Sequence, residues 1–363
     1  MNALELVKKN KIVTHMSGSH AYGMSTPESD VDIRGLFLAD PINIRTPFYT
    51  VEECKIMDEE DTKFYELTHF MKLLLQNNPN IVETLWVDES DIMFRDSKGV
   101  YDLLRKHRSD FLSSKVAHTY TGYAFAQLKR IKGHNKWINN PQTVEPPRQI
   151  DYVSLVQNFT SEKLLKIQLE NYQVDHRLIP YGGNVYGLVE LAGYSPFDFK
   201  YSLNTVFDES HEGIGVPKMV IKFNKEEYRQ DKEKWANYWE WKKNRNEKRS
   251  LLEEAHGFDT KHAAHLVRLL RTGLEILETG EVHVRRPDAE ELLAIRGGSL
   301  TYDELLAYAD SMDKKIKDLY KKTDLPRTPN IKLAAKVLME AQDLMWASSS
   351  EESQFGSYAL PLD

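Results

Sequence analysis

A single cysteine, Cys54, stands among 363 residues. No intramolecular disulfide can form, and a reducing compartment fits. A thiolate-based structural zinc site lacks its ligands, since such sites take several cysteines. Long apolar runs are also missing; none approaches the roughly 20 residues that span a bilayer. Met1 to Asn10 places Glu5 ahead of Lys8 and Lys9, with no apolar stretch after them, and does not read as a signal peptide. We therefore expect a soluble, cytoplasmic protein with no membrane partner. A positive excess is lacking too. The 48 Lys and Arg face 55 Asp and Glu, for a net charge of −7, which argues against a protein that coats nucleic acid.

What is present is ordinary globular usage: 41% apolar and 28% charged, with no internal repeat, so disorder is not expected. The length fits one large or two moderate domains. Charge is unevenly placed. Residues 1–110 carry 13 basic and 19 acidic side chains, and residues 340–363 carry none and 5. The remainder is net +4, and residues 115–150 hold 6 basic against 1 acidic. A local contact with a polyanion fits this pattern, whereas broad electrostatic wrapping does not.

Strand signals dominate early. Ile12 to Met16 is a short apolar run, Val31 to Leu38 alternates, and Thr62 to Tyr65 reads as a third strand. A helix begins near Glu66 and stops at Asn77-Asn78-Pro79, because the residue before proline disfavours helix. Beyond residue 110 helical periodicity takes over, predicting helices over 115–131, 151–173, 225–255, 259–279, 287–296, 301–321 and 329–346. In the 259–279 segment, Ala263, Leu266, Val267, Leu270, Leu274 and Leu277 form one apolar stripe. Asp259 or Thr260 can cap its start, and Gly280 follows its end. Residues 133–150 read as a loop, and 181–218 as irregular with short strands. The fold class is α+β: an α/β domain over 1–110, a mainly helical domain over 111–347, and a flexible acidic tail over 348–363.

Chemistry concentrates in Ser17-Gly18-Ser19-His20-Ala21-Tyr22-Gly23, followed by Ser29-Asp30-Val31-Asp32. A strand ends in Gly-Ser, and Asp-x-Asp opens the next. Side chains alternate along a strand, so Asp30 and Asp32 are expected on one face. Two parallel carboxylates repel unless a cation lies between them, which suits Mg²⁺ with substrate phosphates completing its shell. Gly18 allows close approach of a phosphate, and the Gly18 and Ser19 N–H groups with the Ser19 hydroxyl can hold an anion. Asp-x-Asp alone is common at loop-to-strand junctions. The Gly-Ser eleven residues ahead of Asp30 gives it weight.

These motifs resemble the nucleotidyltransferase signature of the DNA polymerase beta superfamily. More closely, Gly18 to Gly23 with Ser29-Asp30-Val31-Asp32-Ile33-Arg34-Gly35 is similar to a group of predicted nucleotidyltransferases, the RlaP-like group, some linked to RNA ligases. Tyr65-Glu66-Leu67 with Asn78-Pro79 and Glu83, the segment Lys261 to Leu270, and the segment Arg286 to Arg296 also resemble that group. The resemblance implies a third carboxylate on a neighbouring strand, for which Asp61 is chosen and Asp58 stays open. The run Asp58-Glu59-Glu60-Asp61 reads equally as a solvated turn. It further implies two Mg²⁺ ions, with Mn²⁺ able to substitute, held by Asp30, Asp32 and Asp61, with Asp61 helping to deprotonate the acceptor hydroxyl. An NTP such as ATP would be bound in a cleft between the two domains. NMP would pass to an acceptor hydroxyl with release of pyrophosphate, in RNA end modification or repair on a tRNA or nicked RNA. Protein nucleotidylation, small-molecule transfer and, from another class, a non-catalytic nucleotide-binding regulator are the rival readings.

Other candidates are weighed beside plainer readings. His20 and Tyr22 lie in the Gly-Ser loop and could touch the nucleotide, or Tyr22 could only pack. Lys261, His265, Arg268 and Thr272 share one side of the 259–279 helix, read either as a solvated basic face or as a phosphate site. Cations in a helix's first turns oppose its dipole unless an anion compensates. His262 and His265 lack an evident Glu or Cys partner, so zinc is not expected there. Lys129, Arg130, Lys132, His134, Lys136, Trp137 and Arg148 read as a flexible basic loop or as a contact with the acceptor. Trp235, Tyr238, Trp239 and Lys242 share helical spacing, which favours core packing.

Overall fold

The computed structural model describes residues 3–27, 29–56, 61–156, 175–191, 219–244 and 247–347. Asp58 and the tail from 348 lie outside the described residues. The chain forms two compact units, residues 1–136 with 251–363, and residues 137–250. The segment 111–136 thus packs with the residues before it.

The larger unit starts with α1 (Ala3–Asn10), β1 (Lys11–Ser17), α2 (Gly18–Ala21), β2 (Asp32–Phe37), α3 (Pro41–Arg45), β3 (Glu53–Ile56) and β4 (Thr62–Glu66). Then come α4 (Leu67–Leu74), α5 (Pro79–Val82), β5 (Ile92–Arg95), α6 (Val100–Lys106) and α7 (Val116–Asn139). The sheet order is β3-β4-β2-β1-β5. β2 runs parallel to β4 and antiparallel to β1, with Ser17 opposite Asp32 and Ile33 opposite Thr62. β1 lies inside the sheet, between β2 and β5, and buries Ile12, Val13, Thr14 and His15 in succession, as a strand covered on both faces must. In β4, Thr62, Phe64 and Glu66 alternate inward. Glu66 caps α4 by accepting from the Thr68 and His69 N–H groups at 2.6 and 3.2 Å. Asn78 caps α5 and Pro79 opens it, where a missing N–H costs nothing.

The smaller unit holds a second, antiparallel sheet: β6 (Val153–Leu155), β7 (Asp175–Gly182), β8 (Val185–Leu191) and β9 (Met219–Phe223), in the order β6-β9-β8-β7. α8 (Lys225–Lys243) follows. Tyr238 is buried, and the Trp235 and Trp239 indoles each donate to the Thr143 carbonyl at 2.9 Å. The helix expected from 151 does not start there, because the apolar residues of Tyr152-Val153-Ser154-Leu155 pair across to β9 instead. α7 runs to Asn139, past the expected end at 131, since the first helix-breaking proline is Pro141. Trp137, expected exposed, packs on Trp241 at 5.2 Å between ring centres.

The returning segment completes the larger unit with α9 (Glu247–His256), α10 (Thr260–Thr279), α11 (Ala289–Arg296), α12 (Tyr302–Tyr320) and α13 (Ile331–Trp346). The single helix expected over 225–255 is therefore two. Asp259 and Gly280 cap α10, the latter at φ +72°. A Thr301/Glu304 capping box starts α12. Leu266, Val267 and Leu270 of α10 join Leu67, Phe70 and Leu74 of α4 and Tyr120 of α7 in one core. The fold is α+β, with an N-terminal sheet and a mostly helical C-terminal region. No helix among the described residues is long and apolar enough to cross a membrane.

Candidate active site

The turn after β1 sets the geometry. Gly18 has φ +60°, a conformation that glycine adopts without steric cost. A Cβ there would lie 2.1 Å from Asp32 Oδ2. The Asp32 carboxylate thus lies against the Gly18 backbone, and no larger residue fits between them. Asp61 comes from the other side of β2. Its carbonyl accepts from the Ile33 N–H at 3.2 Å, which fixes it beside Asp32 at the start of β4.

Arg34 joins the two carboxylates, at 3.4 Å from Asp32 Oδ1 and 3.1 Å from Asp61 Oδ2. It also donates to the Asp61 and Ile33 carbonyls. Burial pushes the Asp32 carboxyl up; Arg34 pulls it down and the Asp61 charge raises it further. The hydrogen bond from Arg34 holds the Asp61 carboxyl below its ordinary value. Arg34 follows Asp32 by two residues, so strand periodicity places both on one face, a signal that the sequence reading passed over. His15, opposite Arg34 across the β1–β2 pair, is 2% exposed. Burial lowers its pKa to about 4, Arg34 adding to this against the hydrogen bond to the Met16 carbonyl.

Asp30 precedes β2, which begins at Asp32, and is exposed in the coil there; it makes no hydrogen bond or ion pair among the described residues. Arg34 brings Asp32 and Asp61 together. Ser19 and His20 sit in α2, where the Met24 N–H donates to the Ser19 carbonyl at 2.8 Å. His20 Nε2 is enclosed without a hydrogen-bond partner among the described residues.

Tyr22 is held from three sides. Its hydroxyl donates to Glu83 at 2.7 Å, its carbonyl accepts from the Arg286 N–H at 3.1 Å, and the Arg268 guanidinium stacks 3.8 Å over its ring. Arg268 also pairs with Glu83 at 2.6 Å, both side chains nearly fully buried.

Residues 4–144 match a family model described as the RNA repair pathway DNA polymerase beta family, RlaP. The N-terminal part of the chain is thus similar to the polymerase-beta-like RlaP family. An uncharacterized 38.9 kDa protein of Enterobacteria phage T4, from the nrdC-mobD intergenic region, is 28% identical over 34% of this chain and 39% of its own length. The uncharacterized protein YcgL of Bacillus subtilis is 24% identical over 42% of this chain and 65% of its own. The chain spans less than two thirds of either relative. No solved structure matches it.

The RlaP match covers Gly18, Ser19, His20, Tyr22, Asp30, Asp32 and Asp61 and ends before α10. Lys261, His265 and Arg268 come from outside it but pack in the same unit. Lys261 is exposed, and its charge reaches Asp32. His265 is lowered to about 3 by burial and by Arg268, His262, Lys261 and Arg130 around it. The solvated basic face expected on α10 is not found whole. Arg268 and Thr272 are buried, because Glu83 and Arg286 meet them there. Glu83 thus ties the RlaP segment to α10, a role that no local pattern announces.

Proposed function

We propose that this protein is a nucleotidyltransferase that moves an NMP from an NTP to an acceptor hydroxyl, with RNA as the acceptor. The observation that carries the reading is the Gly18–Asp32 contact with Asp61 on the adjoining strand. The carboxylate oxygens of Asp32 and Asp61 are hard donors that suit Mg²⁺, or Mn²⁺ in its place, with Asp30 available from the coil. Such an ion supplies charge neutralisation of the phosphates and of the leaving oxygen.

The chain's own groups do the rest. The Gly18 turn lets the Asp32 carboxylate lie against its backbone, and Ser19 and His20 follow it in α2. Lys261 is exposed near Asp32 and meets the triphosphate as a mobile cation. Arg268 and Glu83 act through Tyr22 and hold the turn in place. The acceptor oxygen forms its bond to the α-phosphorus as the bond to the β-phosphate oxygen breaks, and pyrophosphate leaves. Asp61, held ionised by Arg34, is better suited to binding a cation than to taking a proton, so the hydroxyl proton passes to solvent. The RNA preference draws on the family description and on the basic residues of α7.

The test is incubation of the protein with labelled NTPs, Mg²⁺ and RNA, alongside protein and small-molecule acceptors. Asp32→Asn and Asp61→Asn are each expected to lower transfer by about 10²-fold or more, the scale of losing one electrostatic contact to the transition state. Transfer by Asp32→Asn at the wild-type rate would sink the mechanism. Label on protein with RNA untouched would replace the acceptor.

A further inference from the structure

A second cluster of ligating side chains lies away from the Gly18 turn and shares no residue with it. His134 comes from α7, Glu253 from α9 and Asp259 from the turn before α10. One ligand atom from each lies within 4.8 Å of the others. Asp259 Oδ2 is 3.8 Å from His134 Nδ1 and 3.5 Å from Nε2 of a second imidazole, His262. Tetrahedral bonds of about 2.0–2.2 Å place neighbouring ligand atoms roughly 3.3–3.6 Å apart. The separations of 3.5 and 3.8 Å are close to that spacing, and no pair among His134, Glu253 and Asp259 exceeds 4.8 Å.

Three features separate it from a chance gathering of polar groups. Asp259 is 1% and Glu253 3% exposed, so both carboxylates are held out of water close to an imidazole from a third element. The Asp259 carboxylate is already oriented. Its Oδ1 accepts the His262 N–H at 3.0 Å, which turns Oδ2 toward the two imidazoles, as supporting hydrogen bonds do around metal ligands. The donor set mixes imidazole nitrogen with carboxylate oxygen, which favours a borderline ion over Mg²⁺ or Ca²⁺.

We propose that His134, Glu253 and Asp259, with His262 as fourth ligand, form a structural site for a divalent ion of the Zn²⁺ class. Four protein ligands close the shell, which suits a structural ion and leaves no open position for substrate. The ion ties the end of α7 to the α9–α10 junction, where Asn135 already donates to the Gly257 carbonyl at 2.9 Å. It thereby fixes the first turns of α10, which carry Lys261.

The full chain is produced in zinc-supplemented medium, purified without chelator and assayed for zinc by mass spectrometry. It is then stripped and given Zn²⁺ alone in a thermal melt. One zinc per chain is expected in wild type and in Asp32→Asn, with at least about a tenfold loss in Glu253→Gln and His134→Ala. Add-back is expected to raise the melting temperature of stripped wild type but not of Glu253→Gln. Wild-type protein without zinc and without a thermal response overturns the site, as does zinc retained by both variants. Circular dichroism identifies a misfolded variant, and the wild-type measurements decide on their own in that case. Loss of zinc in Asp32→Asn alone would move the ion to the other cluster and overturn the assignment.

Discussion

Replacing Gly18 with alanine adds one methyl where Asp32 Oδ2 is 2.1 Å away. Carbon and oxygen that are not bonded keep about 3.3 Å or more, so the Asp32 carboxylate has to swing aside by about an ångström. The backbone is also at φ +60°, which costs an L residue about 1–2 kcal/mol. Driving Asp32 from its rotamer adds about 0.5–1.5 kcal/mol. Gly99 provides the control. It has φ +77° and nothing within 4 Å of its would-be Cβ, so Gly99→Ala carries the backbone strain without the collision. Thermal melts should fall for both variants, further for Gly18→Ala, at roughly 2–4 °C per kcal/mol for a domain of this size. Mn²⁺ binding followed by electron paramagnetic resonance, together with nucleotide transfer, should fail in Gly18→Ala and survive in Gly99→Ala. Two variants with equal Mn²⁺ binding and equal transfer would show that the Gly18–Asp32 contact does not organise the site.

Glu83→Gln leaves the Arg268 guanidinium buried against a neutral amide, and the urea midpoint should correspond to a loss of about 3–5 kcal/mol. Lys314→Gln, in the exposed pair with Asp310, should leave the midpoint unchanged, and a loss of the same size from both variants would contradict the burial argument. His15 titrates at about 4 when folded, against 6.5 when unfolded, so the unfolded chain binds more protons between those values. Its contribution is complete above pH 6.5 and is lost as pH falls toward 4, by roughly 3 kcal/mol over the window. Urea titrations at pH 7 and pH 5 should show this slope, and His15→Leu should flatten it. An unchanged slope in the variant would rule His15 out as the source.

Local chemistry was legible where neighbours in sequence set it. The Gly-Ser turn, the strands on either side and the caps of α10 at Asp259 and Gly280 need only a few adjacent residues, and they appear as read. Asp61 was read as opening the strand that starts at Thr62, and it lies just ahead of that strand, which pairs in parallel with β2. The failures involve distant partners. Of the two readings of Arg268, the solvated face fails because helical periodicity cannot see Glu83, 185 residues away. Of the helix expected over 151–173, residues 153–155 pair with β9 instead, a partner that only the folded sheet supplies, and 157–173 lie outside the described residues.

The larger unit is built from two stretches of chain, and the smaller one is an insertion between them. Among the described residues, every member of the main core lies outside 137–250. The RlaP match ends at 144, so it covers the sheet and α7 but none of the returning helices that close the same core. In evolutionary terms, the insertion can diverge or be exchanged while the interior stays intact. The returning helices cannot drift in the same way, because their apolar faces and Arg268 must remain complementary to residues encoded far upstream. Truncation at the edge of the family match would expose the core it leaves behind. Excision of the insertion, with its two ends rejoined, would keep that core whole.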